Sequence, residues 1–201
     1  MDLINNNNTA KKLALTGALS ALVIILGVTN LGLIKIGPAA SITILQIPVI
    51  LASMLVGLPG GLFVGFVFGL VSLIQAAVSP SGALDPFFVN PLISVLPRMM
   101  VAVVSWAIYK LLTLIPKMPK SVSAGITGFL GSFLHTVFVM SALYFIKAAD
   151  IQNLFGVNGL FAIIGLVSFN AILESIVSTI LCVAVFVALY VGKNKKSKLE
   201  R

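Results

Sequence analysis

The sequence has 201 residues, of which 59% are hydrophobic and 9% charged, with a net charge of +8 and a mean hydropathy of +1.16. A soluble domain would carry about 25% charged residues, so the composition excludes a water-soluble fold and indicates an integral membrane protein. One His, one Cys and five acidic residues rule out an internal disulfide and leave little material for catalysis or a metal site.

Residues 1–12, MDLINNNNTAKK, form a polar N-terminal tail, with a helix start near Thr9. Lys11 and Lys12 precede residues 13–34, 22 positions without a charge. A secretory leader starts this way, but the apolar run is too long for a signal h-region and is read as a first transmembrane helix. Ala10, Ala14, Gly17, Ala18 and Ala21 place small residues along it. Ala14-x-x-x-Ala18 would let another helix approach closely, and the ordinary use of such a stripe is packing inside the same bundle.

Residues 36–84 are 49 positions without a charge. About 20 residues cross a bilayer, so this run holds more than one helix. Leu58-Pro59-Gly60-Gly61 is the expected break, giving helix 2 at 43–57 and helix 3 at 61–78. Residues 32–41, with Gly32, Lys35, Gly37 and Pro38, read as an external loop. Gly61, Gly65 and Gly69 recur at i+4 on helix 3 and predict close helix packing. Ser79-Pro80-Ser81-Gly82 then leads to Asp85-Pro86.

Residues 87–109 make a fourth span of 23 residues in which Arg98 is the twelfth. Burying a guanidinium there costs between ~2.5 and ~17 kcal/mol, so it requires a partner, a polar cavity or a ligand. Asn90, Ser94 and Arg98 follow at i, i+4, i+8 and share one face. Asn90 ahead of Pro91 also fits a helix cap. Pro116-Lys117-Met118-Pro119-Lys120 is a short basic turn. Residues 121–146 form helix 5, with His135 near its centre beside Ser132 and Thr136. Residues 147–159 read as a polar loop. Residues 160–192 form the last span, where Asn170, Glu174 and Ser178 again share a face. Cys182 lies in this apolar run and reads as a packed thiol. Residues 193–201, KNKKSKLER, are a basic tail.

The expected fold is a single all-α membrane domain over residues 1–201, a bundle of six transmembrane helices with both termini cytoplasmic. That orientation places ten basic residues inside and only Lys35 and Lys147 outside, as the positive-inside rule requires. The positive charge therefore reports topology, and no nucleic-acid partner is implied. A β-barrel would need alternating polar and apolar positions, which are absent. Helices 4, 5 and 6 each carry a polar face, and Arg98, His135 and Asn170–Glu174 fall at similar depths. These residues would line one outward cavity. Arg98 and Glu174 would pair, either to hold the bundle together or to line the pocket, and His135 would otherwise bridge helices as a neutral imidazole.

The order of these features resembles the substrate-binding S components of energy-coupling factor vitamin transporters. The resemblance runs from Ala14 to about Val183. It is carried by the Ala14/Ala18 stripe, Ile47-Pro48-Val49-Ile50, the helix 3 glycines, Val89-Asn90-Pro91-Leu92-Ile93-Ser94-Val95-Leu96-Pro97-Arg98 and the Asn170…Glu174 segment. It implies a non-catalytic, cofactor-free subunit of the bacterial plasma membrane that binds a vitamin from outside. It further implies docking through Ala14 and Ala18 on a transmembrane coupling subunit driven by two cytoplasmic ATPases. No G-x-x-x-x-G-K-[ST] phosphate loop occurs here. The implied substrate site comprises Asn90, Ser94, Arg98, His135, Asn170 and Glu174. Arg98 and His135 favour a carboxylate or phosphate, with Phe87 and Phe88 at the outer mouth and Trp106 on the inner half. Pantothenate is the expected vitamin, and riboflavin or another vitamin the competitor. A stand-alone secondary carrier or channel would usually show an inverted repeat, and none is visible. An intramembrane protease would have to rely on His135 and Ser132 alone.

Overall fold

The computed structural model describes residues 9–29, 31–35, 41–80, 84–155 and 171–189. α1, Thr9–Val28, is 20 residues long, about 30 Å, enough to cross a bilayer. It buries Thr16, Leu19, Ser20, Val23 and Gly27, one helical face, mainly against α3. Leu13, Leu22 and Ile25 point away from the protein, as lipid-facing side chains do.

The segment expected as a plain external loop contains a small antiparallel ribbon. β1, Leu33–Lys35, pairs with β2, Ser41–Thr43, in the register Leu33↔Thr43, Ile34↔Ile42 and Lys35↔Ser41. α2, Gln46–Leu55, follows directly and is shorter than the predicted 43–57. Ten residues rise about 15 Å, half the hydrocarbon thickness. All ten are buried, so α2 is sheathed by neighbouring helices and need not meet lipid. The chain then reverses at Val56 and Gly57, where φ of 103° suits glycine. Pro59, expected in the break, instead sits in the first turn of α3, Leu58–Val78, where its missing N–H costs nothing.

A 3-10 turn, Asp85–Val89, leads into α4, Pro91–Thr113, with Asn90 as the cap between them. Arg98 is therefore the eighth residue of α4, nearer its N-terminal end than the predicted mid-span position. Among the first five helices, α3 and α4 pack most extensively. The reason is two glycines: a Cβ on Gly65 would lie 2.7 Å from Arg98 O, and one on Gly69 would lie 2.6 Å from Val95 Cα.

α5, Lys120–Phe155, kinks at Lys147 and continues as helix through residues expected to form a loop. Ile151, 1% exposed, packs with Ile93, Val139 and Leu143. That apolar anchor folds the segment down onto α4 and α5. Lys147 Nζ and Asp150 Oδ2 form an ion pair at 2.9 Å on its surface. α6, Ala171–Leu189, completes six helices among the described residues. Five of these helices are long and apolar enough to cross a membrane, and α2 is the exception.

Candidate functional site

An arginine in a membrane helix must be met by nearby acceptors, rings or ligands. Arg98 Nη1 donates to Ile93 O at 2.8 Å within α4, and Nη2 donates to Ser72 Oγ of α3 at 3.3 Å. The guanidinium carbon lies 5.3 Å from the Phe68 ring centre and 4.9 Å from that of Phe88. The cation is thus flanked by two aromatic faces. Arg98 is 6% exposed, and its Nε has no hydrogen-bond partner among the described residues.

Phe68 also reaches the helix 5 residues. Its ring centre is 5.7 Å from that of His135. His135 is 5% exposed, and neither Nδ1 nor Nε2 finds a partner among the described residues. One turn away, Ser132 Oγ accepts from Gln46 Nε2 at 3.1 Å. Gln46 is fully buried at the start of α2, and its Oε1 is likewise unsatisfied among the described residues. Thr136 Oγ1 donates to Glu174 Oε2 at 3.3 Å. Glu174 Oε1 accepts the Thr43 backbone N–H at 2.7 Å, which ties the end of the ribbon to α6.

Several sequence expectations change here. No ion pair joins Arg98 to Glu174. Arg98 is tethered by Ile93 O and Ser72 and flanked by two rings, whereas Glu174 accepts from Thr43 and Thr136. Asn90 is spent on capping: its Oδ1 accepts from the Leu92 N–H at 3.0 Å. Ser94 is fully buried, and its hydroxyl donates to the Phe88 carbonyl. That bond fixes the turn that carries Phe88. Phe88 stands beside Arg98, while Phe87 packs into the Ile93 cluster. Asn170 lies outside the described residues. Ala14 and Ala18 are exposed, and a Cβ on Gly17 would touch nothing within 4 Å, so among the described residues this stripe is not covered by another helix of the bundle.

Gln46, Phe68 and Ser72 escape the sequence reading. A glutamine inside a long uncharged run is a usable signal for Gln46. Phe68 and Ser72 share the face of α3 that carries Gly65 and Gly69, and only the close α3–α4 crossing brings them to Arg98. A cleft of about 310 Å³ lies elsewhere, between the start of α5 and the end of α6, lined by Pro119, Lys120, Ser121, Phe186 and Val187. It contains none of the candidate residues.

Buried donors and acceptors without partners are costly, and a ligand that supplies the missing bonds recovers that cost. A guanidinium with an unpaired donor, an imidazole, an amide oxygen and two phenyl faces suit a small anion carrying further polar groups. Residues 11–198 match the family described as ECF transporter, substrate-specific component. The pantothenate transporter PanT of Leuconostoc mesenteroides subsp. mesenteroides is 31% identical over 190 residues, covering 90% of this chain and 92% of the relative. The pantothenic acid transporter PanT of Lactococcus lactis subsp. cremoris is 27% identical over 167 residues, covering 76% and 79%.

Proposed function

The chain belongs to the substrate-specific components of ECF transporters, multi-pass subunits of the bacterial cell membrane, and on that premise we propose that it captures pantothenate from outside at Arg98. The observation that carries this reading is the buried Arg98 guanidinium between Phe68 and Phe88, with His135, whose ring nitrogens have no partner among the described residues, against the same Phe68 ring. Pantothenate has a carboxylate for the arginine and hydroxyl and amide groups for the neutral residues. Two relatives of this chain carry pantothenate transport in their names. Riboflavin would bring a large ring system and no carboxylate.

In this reading Arg98 binds the carboxylate, and His135, Gln46 and Asn170 serve the hydroxyl and amide end. Asn90 and Ser94 act through the turn that carries Phe88. Glu174 holds the ribbon over the site through Thr43. The loaded subunit docks through the Ala14/Ala18 face on a coupling subunit, and two cytoplasmic ATPases supply the energy. Both termini lie in the cytoplasm. Labelling intact cells with a membrane-impermeant thiol reagent checks the orientation: Asn5→Cys and Lys198→Cys should stay unlabelled, and labelling of either would overturn it. Buried Cys182 gives no background.

Calorimetric titration of the purified chain tests the site. Pantothenate should bind saturably, and Arg98→Ala should lose over about a hundredfold, as removal of a buried charge partner does. Arg98→Lys should also weaken binding, because an ammonium lacks the planar fork. Preferential binding of riboflavin would move the substrate to that competitor. Wild-type affinity in both arginine variants would sink the site.

A further inference from the structure

Pro97 lies inside α4, immediately before Arg98. In a regular helix the N–H of residue 97 would donate to the carbonyl of residue 93. Proline has no N–H, so the Ile93 carbonyl loses its helical donor. In a membrane such an orphan has to be satisfied by another protein group or by water. Here the group is the adjacent side chain: Arg98 Nη1 reaches back five residues and donates to Ile93 O at 2.8 Å. The bond is buried, and Ile93 itself is 0% exposed. Ser72 Oγ holds the other terminal nitrogen at 3.3 Å.

We propose that Pro97 is a positioning residue for substrate capture: by withholding an N–H from Ile93 O it reserves that oxygen for the Arg98 guanidinium, with Ser72 holding the opposite end. The proposal rests on Arg98 being the anion anchor. Arginine has five N–H donors, and two of them are spent on these tethers. The tethers sit on the two terminal nitrogens, so they fix the plane of the fork. Nε, buried and with no partner among the described residues, is the donor left unpaired on an edge that can pair with a carboxylate. A guanidinium held in this way loses little rotamer freedom when the ligand arrives. Pro97 thus sets the direction of the charge.

The test is a double-mutant cycle read by pantothenate titration, with thermal unfolding of the same samples. Pro97→Ala supplies the missing N–H, which competes for Ile93 O and draws that carbonyl back into the helix. It should leave thermal stability unchanged or raised, and weaken pantothenate roughly ten- to a hundredfold, the size of one charge-assisted hydrogen bond. In an Arg98→Met background, where no guanidinium remains to be aimed, Pro97→Ala should change affinity less than about twofold. The α-hydroxy analogue of alanine, placed at position 97 by nonsense suppression, lacks both the N–H and the ring. It should bind close to wild type. Equal losses in both backgrounds, or an α-hydroxy variant as weak as Pro97→Ala, would show that the ring or the kink matters and overturn the proposal. If Pro97→Ala does not fold, Ser72→Ala cuts the other tether alone. It should weaken binding about tenfold with Arg98 present and not at all with Met in its place. An equal loss in both backgrounds overturns the tethering argument. Wild-type affinity in Arg98→Met alone would be a separate failure, that of the anchor reading itself, and the proposal would fall with it.

Discussion

A histidine used only for packing and a histidine kept for a ligand make opposite demands on the ring nitrogens. For packing, both should be bonded to neighbouring helices. His135 has neither nitrogen bonded among the described residues, although it is 5% exposed and lies against Phe68. Each unsatisfied buried group costs about 1–3 kcal/mol, and on the proposed function a ligand hydroxyl or amide would relieve that cost. His135→Phe should therefore raise the melting temperature of the ligand-free protein and weaken pantothenate about tenfold. Thermal unfolding and titration of one preparation read both, and unchanged affinity would return His135 to packing. Arg98 is legible in the sequence because a charge in an apolar run is costly wherever the helix ends. Its partners are not, since a carboxylate on another helix is the obvious mate for a cation and a prolyl-freed carbonyl is not. Glu174 misleads for the same reason: its acceptor oxygens answer a backbone N–H at Thr43, 131 positions away in the chain.

Helix contacts carry the residue geometry, and the α3–α4 seam carries most of it. A Cβ on Gly65 would stand 2.7 Å from the carbonyl oxygen of Arg98, closer than a Cβ tolerates. The obstacle is backbone, so the helices themselves must separate. Gly65→Ala should cost about 1–3 kcal/mol of stability as an overpacked contact. Because the displaced turn bears Arg98, pantothenate affinity should fall with it. Gly17→Ala is the control: its Cβ meets nothing within 4 Å, so stability and binding should not change. A Gly65→Ala protein as stable and as tight as wild type would show that the seam is slack. The long spans are legible because hydrophobic thickness dictates their length. α2 is not, since residues 36–84 hold no charge to mark its ends and its ten-residue length is set by burial among neighbours. The three-residue strands at Leu33–Lys35 and Ser41–Thr43 are too short to show a period of two.

At the scale of the molecule, α1 turns two different surfaces to its surroundings. Leu13, Leu22, Ile24, Ile25 and Val28 are large and exposed, which suits fluid acyl chains. Ala10, Ala14, Gly17, Ala18 and Ala21 are exposed as well, but form a shallow strip with almost no relief. Lipid does not require small residues, whereas a partner helix packed at close range does, because dispersion contacts between backbones are what hold membrane helices together. Among the described residues no other helix covers the strip, which fits the proposed docking of a second protein there. Substitution there should separate two properties that a damaged fold would lose together. Ala14→Trp adds bulk to the strip without touching Arg98, His135 or Gln46. Pantothenate titration of the isolated variant should match wild type, and its melting temperature should not fall. Co-purification with the coupling subunit and ATPases should be lost, and uptake into reconstituted vesicles with it. If Ala14→Trp still assembles and transports normally, the strip faces lipid and docking lies on another helix. If the isolated variant loses binding while assembly survives, the strip supports the site from within, against its exposure in this structure.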